Sequence, residues 1–176
     1  MIVAFAAAVG TAVLWQLDGC RARAVARAHD RVWGRTAAAW EPQLDAPAAR
    51  MRDSAMAALQ ELADRHVLDP ATRVRLGRHL AQRLADTAAD TRTLAVTAAL
   101  DVTEPDPAAM QALRVAAAEL LAANPPTPSR VAALEVLARL GAAPADSAVV
   151  ARIARADPDP DVRALAATVV HRAGAP

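Results

Sequence analysis

Four times between residues 69 and 160 a capping side chain stands directly before a proline: Asp69-Pro70, Asp106-Pro107, Thr127-Pro128 and Asp159-Pro160. That pairing dictates one local structure. The side-chain oxygen accepts from a backbone N–H left over at a helix start, and proline fills the first helical position, where a missing N–H costs nothing. Each pair therefore starts a helix and stops any longer one from running through it. Gly141 and Gly174 stand where a left-handed C-cap is wanted. With Pro42 and Pro47 ending the stretch before them, this punctuation predicts helices near 46–66, 70–86, 89–102, 107–123, 128–140, 145–156 and 160–173. Connections this short make neighbouring helices antiparallel.

The filling of these helices is small. Of 176 residues 50 are alanine, so the 55% hydrophobic content leaves only 47 other apolar side chains. Aromatics are 2%, too few for a β-sandwich or barrel, and the single Cys20 excludes a disulfide scaffold. The fold class is all-α, with a core of small side chains that lets helices approach closely. Apolar stripes agree: Met110, Leu113, Ala117, Leu120 and Leu121 fall within about 100° of one helix face. Val162, Leu165, Ala166, Val169 and Ala173 do so on the last helix. Helix 128–140 is apolar around most of its circumference, which places it between neighbours on two sides and buries Leu137, whereas His171 falls on a solvated face.

Residues 1–17 carry no charged side chain. As a helix they span about 25 Å, the short end of what crosses a hydrocarbon core of about 30 Å. Ile2, Val3, Phe5, Val9, Val13, Leu14 and Leu17 are the apolar surface of this N-terminal helix, and Trp15 stands where an interfacial aromatic would. The uniformly apolar circumference favours a membrane anchor within residues 1–19 over a surface helix. A cleaved signal segment is one alternative, although no basic n-region or small-x-small site is present. Cys20 in a degenerate lipoprotein box, giving a periplasmic lipoprotein, is another. Arg21, Arg23, Arg27, Arg31 and Arg35 after the run favour a single-pass anchor with the following domain in the cytoplasm. Residues 20–41 read as a helical linker, with Trp33 and Trp40 capping the domain at 42–176.

The chain repeats itself. Aligning Gly141 with Gly174 superposes Arg130 on Arg163 and Arg139 on Arg172, an offset of 33; Arg92 aligns with Arg130 at 38, and Arg52 begins the series at 40. Asp157-Pro158-Asp159-Pro160-Asp161-Val162-Arg163-Ala164-Leu165-Ala166-Ala167, running on to Gly174, resembles a HEAT repeat of the short bacterial type also found in phycobilisome-lyase-like proteins. The resemblance is specific over 150–174, fair over 127–141 and loose over 46–102. It implies a right-handed α-solenoid of antiparallel helix pairs, with Val162, Leu165 and Val169 in the core. It also implies that Asp161 and Arg163 bridge adjacent repeats.

Chemistry is harder to find. His29, His66, His79 and His171 have no second His or Cys at helical metal spacing, and HEAT proteins that bind iron carry His-Glu pairs that this chain lacks. No phosphate loop or nucleophile motif is present. Asp157, Asp159 and Asp161 lack the glycine and glutamate of a calcium loop and are better read as capping residues. The sequence therefore offers no catalytic residue, cofactor, metal or small-molecule substrate. All 20 basic residues are Arg against 19 acids; residues 1–92 are net +3 and 93–176 net −2, which argues against nucleic acid as the partner. One basic strip stands out. Arg75, Arg78, His79 and Arg83 share a helix face opposite Leu76, Leu80 and Leu84 and form the candidate interaction surface. The expectation is a non-enzymatic, membrane-anchored protein-interaction scaffold. A periplasmic HEAT-repeat lipoprotein and a DNA-binding HEAT-like protein, which would want a concave cationic groove, are its rivals.

Overall fold

The computed structural model describes residues 29–141 and 147–174, and among these the regular secondary structure is helical apart from one isolated bridge between Val32 and Arg35. Helix α1 (Ala37–Trp40) runs into a 3₁₀ turn (Glu41–Asp45), followed by α2 (Ala49–Asp64) and α3 (Pro70–Arg83). Then come α4 (Ala89–Thr103), α5 (Pro107–Ala122), α6 (Thr127–Leu140), α7 (Ser147–Ala156) and α8 (Pro160–Gly174). The capping logic accounts for most starts. Asp69 accepts from the Thr72 N–H at 2.9 Å and the Thr72 hydroxyl at 2.6 Å, and these hydrogen bonds hold its carboxyl below the usual value. Asp106 accepts from the Ala109 N–H at 2.8 Å and Asp159 from the Asp161 N–H at 2.9 Å. Thr127 is different. It lies inside α6, behind the N-cap Pro126, and its hydroxyl accepts from the Arg130 guanidinium at 2.9 Å instead.

Packing follows a regular pattern. α3 pairs with α4, α5 with α6 and α7 with α8, while α1 and the 3₁₀ turn pack on α2. The even helices α2, α4, α6 and α8 pack successively side by side, and so do α3, α5 and α7. Two layers result, with Leu59, Leu62, Leu76, Leu80, Leu113, Leu121, Leu134 and Leu137 fully buried. Each such burial stabilises by about 1.5–3 kcal/mol. Gly77 marks a close approach of two helices. A Cβ there would meet Thr103 Cγ2 of α4 at 2.7 Å, so any side chain would force Thr103 to shift where α3 crosses α4. Next to it Arg73 is buried without an acid: its guanidinium donates to the carbonyls of Leu68, Val102 and Ala63, the last two at the C-terminal ends of α4 and α2. Those ends carry the negative pole of the helix dipole, which suits a cation.

A structural unit recurs at the start of each even helix. Arg52, Arg92, Arg130 and Arg163 each fold back onto the turn before their own helix. Arg52 donates to Ala46 O and Pro47 O, Arg92 to Asp86 O and Thr87 O, Arg130 to Pro125 O, and Arg163 to Asp157 O and Pro158 O. Two of them also reach forward to the next unit. Arg52 Nη2 donates to Asp86 Oδ1 at 2.8 Å, and its Nε sits 2.7 Å from Oδ2. Arg130 repeats this on Asp157, at 3.1 and 2.8 Å. Both aspartates also accept from the backbone N–H two residues on, Ala88 and Asp159. Burial works to raise the Asp86 carboxyl, but the hydrogen bonds from Arg52 and Ala88 and the charges of Arg52 and Arg83 outweigh it and hold it below its usual value.

The rung that the same spacing would place between them falls on Asn124, which sits at φ +52 in the left-handed C′ position of α5. Asparagine tolerates that conformation better than most residues. Asp161, expected as a bridging residue, is exposed on the first turn of α8, and the bridging acid is Asp157. Arg163 makes the backward half of the unit to its own turn.

The helical linker expected at 20–41 is not continuous. Residues 1–28 lie outside the described residues, and Trp33 (φ +49) and Gly34 (φ +76) turn the chain back on itself before α1. Gly34 was the signal for this turn. Val32, Trp40 and Leu44 are buried, so the packed body begins ahead of residue 42.

Candidate interaction surface

The four residues of the basic strip lie on α3, as their spacing requires, but three of them are engaged within the molecule. The 3₁₀ turn brings Glu41 and Asp45 over the strip. Arg75 Nε donates to both Glu41 carboxylate oxygens at 2.9 Å. His79 Nε2 lies 3.0 Å from Asp45 Oδ2, and Arg83 reaches Asp45 Oδ1 at 3.4 Å and Leu44 O at 3.3 Å. The strip is thus largely a clasp that holds the first turn on α3. Glu41 and Asp45 are separated from it by about 34 residues, so helix periodicity alone carried no sign of the pairing.

Arg78 stays exposed, at the mouth of a groove of about 530 Å³ between α3 and α5. Ala81, Ala112, Val115 and Leu120 line its apolar part, and Glu119 faces Arg78 in charge. A second furrow lies on the even layer between α4 and α6. It consists of two hollows of about 300 and 340 Å³ that share Val96. Its charged lining is mixed: Asp101, Glu104 and Glu135 against Arg92 and Arg139. Gln60 of α2 donates to Asp101 at 2.7 Å and Thr91 of α4 to Asp53 at 2.7 Å, which fixes the neighbouring helix faces.

The tryptophans part company. Trp40 is 5% exposed, and its indole N–H donates to Val32 O at 3.0 Å. Trp33 is 67% exposed and meets the Trp40 ring edge-on at 5.6 Å. A bulky residue at positive φ costs roughly 1–2 kcal/mol. The turn that holds it there is closed by Val32 N–H to Arg35 O and Arg35 N–H to Val32 O, at 2.9 and 3.0 Å. Arg35 lies over the Trp40 ring, 4.8 Å from its centre. The cap role expected for both tryptophans belongs to Trp40.

The anchor residues Ile2, Val3, Phe5, Val9, Val13, Leu14, Trp15 and Leu17 lie outside the described residues; among those described, no helix is long and apolar enough to cross a membrane. Also among the described residues, no group of three or more His, Cys, Asp and Glu side chains could hold a metal ion. His29 contacts Arg65 O, His66 takes the left-handed position just past the Arg65 C-cap at φ +57, and His171 is exposed. Comparison with protein-family models, curated proteins and solved structures found no match to this chain.

Proposed function

We propose that this chain is a non-enzymatic interaction scaffold, a short HEAT-like α-solenoid tethered to a membrane by its apolar run 1–17. The observation that carries the reading is the recurrent arginine at the start of each even helix. Arg52, Arg92, Arg130 and Arg163 each tie down their own turn, and Arg52 and Arg130 also hold the acid of the next. The unit recurs at the 40-, 38- and 33-residue offsets that relate the sequence to itself. Side-by-side packing within each layer is what stacked helix pairs require, and stacks of this kind leave long furrows open to a partner. The furrow between α4 and α6 mixes carboxylates and guanidinium groups around an apolar floor, which suits a protein segment better than a polyphosphate. The uncharged run followed by five arginines supports a single-pass anchor with the stack on the cytoplasmic side.

The test is alkaline extraction of membranes carrying the full-length protein. The reading expects the protein to stay with the membrane, deletion of residues 1–19 to release it, and a reporter fused after Ala175 to be active as a cytoplasmic reporter. A mature chain beginning at Cys20 and carrying lipid would replace it with the lipoprotein reading. For the scaffold itself, a photoreactive residue at exposed Thr97 should give discrete protein adducts in membranes, and one at exposed Ala71 should not. Adducts at neither position, or stoichiometric metal or cofactor in the purified protein, would contradict it.

A further inference from the structure

We infer that the Arg31–Arg35 turn is a second, peripheral membrane contact, with Trp33 set into the headgroup layer of the bilayer; this rests on the tethered reading above. Exposed tryptophans are uncommon at strained positions unless something holds them there. Here the turn does so. Its two backbone hydrogen bonds, the Arg31 Nη1 bond to Gly34 O at 3.0 Å and the Trp40 indole bond to Val32 O fix the backbone on both sides of Trp33. Arg65, the C-cap of α2, donates to Arg31 O at 3.0 Å and anchors the turn to the helical body. The indole is therefore presented on a rigid support, and its edge contact with Trp40 restricts its swing.

The surroundings suit lipid headgroups. Arg31 and Arg35 flank Trp33 and are exposed, with Arg65 behind; the nearby acids are Asp30, 3.9 Å from Arg31, and Glu61, paired with Arg65. An amphipathic ring among arginines is the composition of a membrane–water interface, where the indole N–H stays wet and the ring enters the acyl boundary. Position agrees. Eleven residues, 18–28, separate the uncharged run from His29, and eleven residues reach no farther than about 40 Å even when fully extended. A stack held by residues 1–17 thus keeps this end within about 40 Å of the anchor, whatever path the connecting residues take.

The experiment uses the full chain with Trp15→Phe, reconstituted in vesicles of equal parts phosphatidylcholine and phosphatidylglycerol. Subtracting the emission of the same chain with Trp33→Asn isolates Trp33. Asparagine tolerates the left-handed region, so that variant keeps the turn. Lipids brominated near the headgroup end of the acyl chain should remove most of the Trp33 emission, and lipids brominated near the methyl end should remove little. Emission that stays unquenched by either lipid and open to aqueous iodide overturns the inference, provided the protein floats with the vesicles after an alkaline wash. Failure to float overturns the tether and this contact together. Shielding of Trp33 that appears only when a protein fraction is added assigns the turn to a protein partner and overturns the lipid contact.

Discussion

Asp86 and Asp157 occupy equivalent places, each receiving a buried guanidinium from the preceding unit and a backbone N–H from its own turn. Arg52 is 8% and Arg130 7% exposed, so loss of the paired acid leaves each buried cation only the oxygen acceptors of its own turn. Removing one partner of such a pair leaves an uncompensated charge and costs about 3–5 kcal/mol. Asp86→Asn should therefore lower the stability of the full chain by roughly that amount in urea titrations. The pH dependence has a definite sign. The Asp86 carboxyl is depressed in the folded state, so its contribution is complete above its ordinary value of 3.8 and is lost as pH falls through the lower folded value. As pH falls below the ordinary value of 3.8 the parent should lose stability faster than Asp86→Asn; equal slopes would mean that the pair contributes nothing. Gly77 makes a second prediction at this scale. Gly77→Ala would place a Cβ 2.7 Å from Thr103 Cγ2 and should cost about 1–3 kcal/mol, despite alanine's better helix propensity. An unchanged or raised melting temperature would show that α3 and α4 can move apart freely.

Helices are the scale at which the sequence is most legible. Asp69, Asp106 and Asp159 cap where they stand before proline, and the expected boundaries of α3 to α8 lie within three residues of the observed ones. Capping and 3.6-residue periodicity are local, so they survive being read from one segment at a time. What was missed is either a conflict of local signals or a contact between distant segments. Thr127 looks like a cap, but the preceding Pro125-Pro126 pair already sets the start of α6. The turn at 32–35 interrupts a segment rich in helix formers, because Gly34 and Trp33 take positive φ and Val32 pairs with Arg35. The strip on α3 has the right face and the wrong environment, since Glu41 and Asp45 arrive from another element. Helix phase is testable directly. Leu137 is fully buried and His171 exposed, so Leu137→Asp should unfold or severely weaken the protein while His171→Gln is nearly silent. Thermal melts that rank the two the other way would put α6 or α8 out of register.

At the scale of the whole molecule the arginine series at 52, 92, 130 and 163 was visible in the sequence, but its job was not. Spacing shows that a residue recurs; it does not show that the guanidinium turns back to its own turn, or that Asp157 and not Asp161 closes the contact between units. A stack of units differs physically from a single globular core, because each unit depends mainly on its neighbours. Removing the last helix pair from a stack exposes one face and leaves the rest intact; removing it from a single core destroys the core. The decisive measurement is therefore the circular-dichroism melt of a chain that ends at Gly141, which lacks α7 and α8. Arg130 loses Asp157 in that chain, but it gains water at the same time, so no buried charge is left behind. The account predicts a predominantly helical spectrum and a cooperative melt at a lower temperature than the full chain. A spectrum without helix, or loss of the cooperative transition, would contradict the reading of this protein as a stack of repeated units.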